Sequence, residues 1–224
     1  MFGQRFVKYC PEIFDARDVQ QAKRIILTNE GGLDSEARWQ TETPYLIELI
    51  LRSFALGPDM VVLDYGCGIG RVAKAMIEVS GCSVVGLDIS GSMRQLARDY
   101  VGSDRFIAVS PGQYDTMVAA GLRVNAAIAV WVLQHCLQPA EDIARIRRSI
   151  VPKGRIFVLN MSARAVPSVD GGNKFAWVQD EIDVAALLRA EFRVQAEGTP
   201  DRIQMQDAAP QSGVYWMSLR QRRS

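Results

Sequence analysis

The sequence contains few of the residues that indicate a metal centre or a disulfide framework. It has one histidine and four cysteines in 224 residues, and the cysteines at 10, 67, 82 and 136 form no CxxC pair. A Cys/His zinc site needs several such ligands at close spacing, so we expect no metal site. Free cysteines outside a disulfide framework are typical of a reducing compartment, which favours a cytoplasmic protein.

The sequence also lacks a surplus of charge and a long apolar run. Twenty-six basic residues face 25 acidic ones, and the net charge is +1. Nucleic-acid binders usually carry a basic surplus, so no nucleic-acid partner is expected. The longest apolar run, "AAIAVWVL" (126–133), is much shorter than a membrane span, and "MFGQRFVKYCPE" lacks the apolar core of a secretion signal. We therefore expect a soluble protein with no membrane partner.

The first part of the chain has helical periodicity. In "DARDVQQAKRIILTNEGG" the side chains of Val19, Ala22 and Ile26 share one helical face. A second helix is predicted in "TPYLIELILRSFALGP" (43–58), with Thr43 as its cap and Pro44 in its first turn. Residues 1–58 are thus predicted to form a helical extension, and residues 59–224 the main domain.

From residue 60 onward, apolar segments alternate with helical patterns. The strand candidates are "MVVLDY", "SVVGLD", "RFIAVS", "NAAIAVWV" and "GRIFVLN". Strands this apolar are buried on both faces, which predicts a doubly wound, mostly parallel α/β sheet with helices on both sides. The last two strand candidates, "FRVQAEG" and "VYWMSLRQ", have no helical pattern between them and are expected to pair antiparallel at the sheet edge. Residues 161–179 are predicted to be a long functional or mobile loop.

A glycine-rich turn, "LDYGCGIGR" (63–71), follows the first of these strands. Its glycines at 66, 68 and 70 give the spacing G-x-G-x-G. A dinucleotide-binding turn needs its third glycine where Arg71 stands, and a P-loop needs a following Gly-Lys-Ser/Thr, so both are excluded. Glycines and a helix N-terminus at a strand end are typical of a ligand site, and Asp64 can hold a ligand ammonium there.

A second carboxylate, Asp88, ends the next strand. Such a strand-end carboxylate can accept hydrogen bonds from both hydroxyls of a ribose. Ser90 is placed to cap the following helix, and Met93 in that helix can pack against an adenine face. A helix cap without a ligand is the alternative role for Asp88.

The ordered motifs "VLDYGCGIGR", "VVGLDISGSM", "AAIAVWVLQHC" and "ARIRRSIVPKGRIFVLN" resemble the class I (Rossmann-like) S-adenosylmethionine-dependent methyltransferases between about residues 59 and 160. The resemblance implies a seven-stranded sheet with an antiparallel last strand and S-adenosyl-L-methionine as cofactor. It also implies roles for individual residues. The methionine moiety of the cofactor would contact Asp64, Gly66, Gly68 and Gly70, and the ribose would be bound by Asp88. The adenine would lie between Ile89 and Met93, and Val130 and Trp131 would line the pocket near the sulfonium. Many members have an Asp after the third strand for the adenine amino group; here Ser110 or a backbone group must substitute.

Several aromatic and polar residues have two open interpretations. His135, the single histidine, is either a general base for a substrate hydroxyl or a packing and cofactor-lining residue. Trp39, Glu42 and Tyr45 lie where the family folds a lid over the cofactor, and their alternative role is helix packing. Trp177 either lines a substrate pocket or is merely exposed.

These observations predict a methyltransferase that moves a methyl group from the sulfonium to O, N or C of a small-molecule acceptor, leaving S-adenosyl-L-homocysteine. In-line displacement from a sulfonium needs positioning more than a base, which agrees with the lack of a catalytic dyad or triad. A non-catalytic S-adenosylmethionine-binding module and a methyltransferase for RNA or protein are the alternatives. The balanced charge and short chain argue against the latter. The acceptor and the oligomeric state stay open.

Overall fold

A computed structural model of the protein describes residues 8–29, 32–169, 175–201, 205 and 213–222. The strands are β1 Lys8–Tyr9, β2 Val61–Tyr65, β3 Ser83–Leu87, β4 Phe106–Val109, β5 Val124–Val130, β6 Ile150–Met161, β7 Val166–Val169, β8 Phe175–Val178, β9 Phe192–Gly198 and β10 Val214–Gln221. The helices are α1 Val19–Ile26, α2 Ser35–Ser53, α3 Arg71–Ser80, α4 Gly91–Val101, α5 Pro111–Ala119, α6 Pro139–Ser149 and α7 Val184–Glu191. Short 3₁₀ turns span Pro11–Phe14 and Leu133–His135.

The main sheet has seven strands in the order β4-β3-β2-β5-β6-β10-β9. Strands β2 to β6 run parallel, whereas β10 is antiparallel to both β6 and β9. This confirms the predicted fold class and the antiparallel edge pair. Strands β2, β3 and β4 lie side by side in chain order, and β5 then lies on the other side of β2. The reversal opens a crevice at the carboxyl ends of β2 and β5, where such sheets bind ligands.

Helices cover both faces of this sheet because its central strands are apolar on both faces. Along β2, Val62 packs with α2, α3 and α4 on one face, and Leu63 packs with α5, α6 and α7 on the other. Both side chains are fully buried. The alternation along one strand therefore creates two cores, as expected for parallel strands in a three-layer fold.

Helix α2 is longer than predicted. It begins at Ser35, where the Asp34 carboxylate caps it by accepting the Ala37 N–H at 2.8 Å, and Pro44 lies inside it. The predicted start at Thr43 is therefore wrong. The Thr43 hydroxyl instead donates to the Trp39 carbonyl one turn earlier. Burial of Trp39 and Leu46 on one face outweighs the single backbone hydrogen bond that Pro44 removes.

The predicted loop at 161–179 contains strands. β7 pairs antiparallel with β8 and with β1, so that Val166 faces Val178 and Lys8 faces Val169 in a separate three-stranded sheet. Residues 170–174 lie outside the described part of the chain. The pairing brings the beginning of the chain and the 161–179 segment together over the same end of the main sheet.

Helix α1 packs onto the glycine turn and α4. Ala22 and Leu27 share a buried cluster with Ile69 of the turn and Met93 of α4. The N-terminal residues thus lie against the predicted ligand site. The division at residue 58 into extension and domain stays a prediction.

Candidate active site

A cleft of about 1200 Å³ opens beyond the carboxyl ends of β2, β3 and β5. A recess of about 40 Å³ adjoins it and shares the walls of Gly66, Gly68, Val130 and Trp131. Most of the residues predicted from the sequence line the cleft, namely Gly66, Gly68, Asp88, Ile89, Met93, Val130, Trp131 and His135. Asp64 lines the recess, whereas Gly70 and Ser110 line neither space.

The three glycines of the turn all have positive φ angles, between 53° and 79°. A Cβ on Gly68 would lie 2.7 Å from the Ile26 side chain of α1, and a Cβ on Gly66 would lie 2.3 Å from Val132. At Gly70 the conflict is with Val101 of α4, at 2.4 Å. Gly70 therefore allows the start of α3 to pack closely on α4, whereas Gly66 and Gly68 make room for Val132 and Ile26 and also line the cleft.

Asp88 joins the end of β3 to the glycine turn. Its carboxylate accepts the Gly68 N–H at 2.8 Å and the Ser90 N–H at 2.9 Å, and the Ser90 hydroxyl caps α4. Burial raises the Asp88 pKa, and these N–H donors oppose that shift. A carboxylate so anchored still has further lone pairs facing the cleft for a ligand hydroxyl.

Three buried polar side-chain atoms in the wall of the recess have no hydrogen-bond partner. They are Asp64 Oδ2, Arg71 Nη2 and Trp131 Nε1. Leaving such groups unsatisfied costs about 1–3 kcal/mol each, and more when they are charged. One unsatisfied acceptor and two unsatisfied donors thus belong to residues that line the recess. The sequence reasoning found Asp64 and Trp131 but used Arg71 only to exclude a dinucleotide turn.

Burial shifts the pKa values of two charged residues that line the recess. Desolvation, with the Asp88 carboxylate adding to it, raises the Asp64 pKa to about 7. Desolvation lowers the Arg71 pKa to about 10, although Glu42 partly opposes the shift. The Arg71 guanidinium donates through Nε to the Thr43 hydroxyl at 2.8 Å, and its Nη2 lies 4.0 Å from Glu42. A ligand with a cationic and an anionic end would stabilise both side chains in their charged forms.

Trp131 has an unusual backbone conformation. Its φ is 57°, in the left-handed region, and its N–H donates to the Leu159 carbonyl at 2.8 Å. Such a conformation in a non-glycine residue costs about 1–3 kcal/mol and clusters at functional sites. It directs the chain away from β5 and leaves the indole in the walls of both the cleft and the recess.

The predicted adenine contacts divide into two groups. Met93 is buried and Ile89 is 49% exposed, and both line the cleft beyond Asp88. Ser110 instead caps α5, because its hydroxyl accepts the Gln113 N–H at 3.3 Å while the Gln113 side chain accepts the Ser110 N–H. The neighbouring Pro111 lines the cleft. The Ser110 side chain is thus engaged in helix capping.

The ring of His135 is hydrogen-bonded at both nitrogens. Nδ1 lies 2.7 Å from the Ala165 carbonyl and must donate to it. Gln134 Oε1 accepts the Met161 N–H at 2.8 Å, so its Nε2 donates to His135 Nε2 at 3.2 Å. Burial also lowers the His135 pKa. The geometry favours the neutral, cleft-lining interpretation, because a general base needs a free lone pair.

Residues proposed for the lid pack within the helices. Trp39 is buried, donates from Nε1 to the Tyr100 hydroxyl at 3.0 Å, and has the cations of Lys23 and Arg71 over its ring at 5.1 and 5.2 Å. Tyr45 accepts the N–H of Asp201. Neither aromatic residue lines the cleft. The structure therefore favours helix packing for this group.

Aromatic side chains from separate elements line the far end of the cleft. Tyr9 comes from β1, Phe14 from the turn after it and Trp177 from β8. Burial raises the Tyr9 pKa to about 12. Deeper in the wall, Tyr65 donates to Asp142 and accepts from Arg145, which pairs with Asp142 at 3.0 Å. Sequence reasoning missed Tyr9 and Phe14, because nothing local predicts the pairing of β1 with β7.

In the described ranges no group of three or more His, Cys, Asp or Glu residues is arranged to hold a metal ion. None of the helices there combines the length and apolar character that crossing a bilayer requires.

Comparison with known proteins shows the family of the chain. A family model described as a methyltransferase domain matches residues 38–208, well over half of the chain. The fold and site define a Rossmann-like protein of the class I, S-adenosylmethionine-dependent type. The chain belongs to the methyltransferase family, and S-adenosylmethionine is the cofactor of that family.

Two curated relatives illustrate the range of the similarity. The chain is 31% identical over 118 residues to a ubiquinone biosynthesis O-methyltransferase of Thiobacillus denitrificans, covering 46% of each chain. It is 30% identical over 134 residues to the N-demethylindolmycin N-methyltransferase of Streptomyces griseus, covering 55% of this chain and 54% of that one. The alignments span about half the length of these curated relatives.

A solved structure shows the same fold. The 1,6-didemethyltoxoflavin-N1-methyltransferase of Burkholderia thailandensis, with bound 1,6-didemethyltoxoflavin and S-adenosylhomocysteine, superimposes with a TM-score of 0.56 at 21% identity. The match covers 83% of this chain and 81% of that one.

Proposed function

We propose that the protein transfers a methyl group from S-adenosylmethionine to O, N or C of a small-molecule acceptor bound in the cleft. Asp64, Arg71 and Trp131 would hold the amino-acid end of the cofactor in the recess. Asp88 would hold its ribose, and Met93 and Ile89 its adenine.

The observation that carries this proposal is the set of unsatisfied buried atoms in the recess. An α-amino acid has an ammonium that donates and a carboxylate that accepts, which matches Asp64 Oδ2 on one side and Arg71 Nη2 with Trp131 Nε1 on the other. The recess lies beside Gly66 and Gly68 of the glycine turn. Few other ligands carry a zwitterion and a ribose within one crevice.

The protein's own residues would contribute by binding, orienting and excluding water. When bound, the cofactor supplies a methyl group on a good leaving group, so a dedicated base is optional. Val130 and Trp131 at the end of β5 would separate the cofactor side from the acceptor side. The β1-β7-β8 sheet and α1 would cover the cleft and exclude water.

Several features support a small acceptor. The cleft volume of about 1200 Å³ is ample for a cofactor and a small molecule together. The balanced charge of the chain offers no bulk attraction for nucleic acid. Two relatives are named for methyl transfer to small molecules, at O in one case and at N in the other. We expect a cytoplasmic enzyme, and the oligomeric state stays open.

Calorimetry with S-adenosylhomocysteine, 5′-methylthioadenosine and NAD tests the cofactor site. We expect S-adenosylhomocysteine to bind tightest, 5′-methylthioadenosine more weakly because it lacks the zwitterion, and NAD not to bind. Equal affinity for the first two would overturn the role of the recess. Methyl release from labelled S-adenosylmethionine with a library of small acceptors tests transfer. Binding without release on any small molecule, RNA or protein would favour the non-catalytic module.

A further inference from the structure

We infer that the acceptor is an uncharged, planar aromatic molecule that binds against a triad of rings formed by Phe14, His135 and Trp177. This inference deepens the proposed function and rests on it, since the triad lines the same cleft as the cofactor residues.

The triad is assembled from three elements that are distant in the sequence. Phe14 lies in the turn after β1, His135 in the turn after β5, and Trp177 in β8. The ring centroids of His135 and Trp177 are 5.2 Å apart, those of Phe14 and His135 5.6 Å, and those of Phe14 and Trp177 6.3 Å. The rings are tilted by 46–55° relative to one another, and all three residues line the cleft.

The rim of the cleft around the triad is apolar as well. Trp177 is 46% exposed, and Ile13 and Leu137 are also exposed large apolar residues in the cleft wall. Together with Ile89 on the proposed adenine side, half of the exposed large hydrophobic residues in the described chain line this one cleft. Exposed apolar groups that are gathered at a concave site indicate an apolar ligand.

The charged side chains of the cleft offer little to an ionic acceptor. Arg38 is paired with Glu42 at 2.6 Å, and Arg145 with Asp142 at 3.0 Å. Arg24 and Glu141 also line the cleft and are exposed to solvent. Asp88 is assigned to the ribose. An acceptor with a net charge would lose hydration at the triad, and a pair with exposed Arg24 or Glu141 would return little free energy because water screens it.

His135 contributes to the triad as a neutral ring. Its two nitrogens are engaged by Ala165 and Gln134, and burial lowers its pKa, so it adds no charge beside Trp177 and Phe14. The hydrogen bonds fix the plane of the ring. His135 is thus a positioning element of an aromatic wall.

Three probes that share a fused skeleton of ten ring carbons test the inference in the presence of saturating S-adenosylhomocysteine. 2-Naphthol is neutral and aromatic, decahydro-2-naphthol has the same skeleton without aromaticity, and 2-naphthoate is aromatic and anionic. Ligand-observed NMR titration should give 2-naphthol at least fivefold higher affinity than either of the others. Equal binding of the saturated or the anionic probe would overturn the inference.

Substitutions at the triad test whether 2-naphthol binds there. Trp177→Ala and Phe14→Ala should each weaken 2-naphthol binding at least fivefold, Trp177→Phe should retain most of it, and Leu51→Ala, on an exposed face of α2 away from the cleft, should not change it. Unchanged binding in Trp177→Ala would overturn the inference. If Trp177 only stabilised the fold, Trp177→Ala would lower the melting temperature and the S-adenosylhomocysteine affinity together.

The two proposals fail separately. If S-adenosylhomocysteine binds but no naphthalene probe does, the aromatic acceptor is wrong and the cofactor site stands. If S-adenosylhomocysteine itself does not bind, the proposed function is wrong.

Discussion

The Asp88 carboxylate accepts the backbone N–H of Gly68 at 2.8 Å, and this hydrogen bond ties the end of β3 to the glycine turn after β2. Two neighbouring strands of the sheet thereby share one wall of the cleft. The residue proposed for the ribose also fixes the backbone proposed for the methionine moiety. Loss of Asp88 should therefore affect binding more than loss of an isolated contact.

Asp88→Ala should weaken S-adenosylhomocysteine binding by about 1.5–3 kcal/mol, the range for hydrogen bonds to a charged group. Isothermal titration calorimetry measures this. Asp88→Asn keeps a carbonyl oxygen for one N–H and should lose less. Asp104→Ala, an exposed aspartate in the loop before β4, is the matched control and should bind like the wild type. An unchanged dissociation constant in Asp88→Ala would contradict the ribose role.

Asp64 should make cofactor binding depend on pH. Its pKa is about 7 without ligand, and a ligand ammonium favours the ionised carboxylate. Below pH 7 binding must therefore be accompanied by proton loss, and the affinity for S-adenosylhomocysteine should fall by up to about tenfold per pH unit. Affinities measured from pH 5.5 to pH 8.5 should level off above pH 7. A pH-independent affinity would remove Asp64 from the site, and Asp64→Asn should show such a flat profile.

The same pKa has the opposite consequence for the stability of the ligand-free protein. The folded pKa is raised above the unfolded value, so the native state binds more protons between about pH 4 and pH 7. The contribution of Asp64 to the free energy of unfolding is thus present at low pH and is lost as pH rises toward 7. Asp64→Asn should gain stability over wild type by up to about 1.4 kcal/mol per pH unit between pH 5 and pH 7, with a plateau above. Urea unfolding at each pH checks this.

Arg71→Met should discriminate between ligands. S-adenosylhomocysteine should bind about tenfold or more weakly, because a charged hydrogen bond to its carboxylate is lost. 5′-Methylthioadenosine has no carboxylate, and its affinity should stay within about twofold. Arg193→Met, on the exposed edge strand β9, is the control. Equal losses for both ligands would show that Arg71 supports the fold, through Thr43 and Trp39, and does not contact the ligand.

His135 should titrate below its ordinary pKa of 6.5 and be protonated at Nδ1. Because it is the single histidine of the chain, its ring ¹⁵N resonances need no assignment. Two-dimensional ¹H–¹⁵N spectra at neutral pH should show a protonated Nδ1 and an unprotonated Nε2. A raised pKa would restore the general-base interpretation, and the Nε2–H tautomer would contradict the hydrogen bond from Nδ1 to the Ala165 carbonyl.

The strand-end residues could be predicted from the sequence because short contiguous motifs identify them. An apolar strand followed by "YGCGIG", and a second strand followed by Asp88, define the binding edge without knowledge of any distant contact. The parallel sheet followed from strands without alternation, since such strands must be covered on both faces. The number of seven strands came from the family resemblance.

What could not be predicted depends on contacts between distant residues. The pairing of Lys8 with Val169 creates the aromatic end of the cleft, and neither segment has a strong strand pattern of its own. Pro44 also favoured a helix start, whereas burial of Trp39 against Lys23 and Arg71 extends α2 to Ser35. Tertiary packing outweighed local propensity in both places.

Gly70 and Gly68 should respond differently to the same substitution. In Gly70→Ala the new Cβ would lie 2.4 Å from Val101 at a φ of 79°, so the fold should lose about 2 kcal/mol or more and melt earlier. In Gly68→Ala the conflict at 2.7 Å is with the flexible end of Ile26, so the larger effect should be on S-adenosylhomocysteine binding. Thermal melts and calorimetry on both variants separate the two effects. Adding Val101→Ala should restore part of the stability of Gly70→Ala, because it removes the atom that the new Cβ meets. If Gly70→Ala instead loses ligand affinity at full stability, Gly70 contacts the cofactor and its assignment to helix packing is wrong.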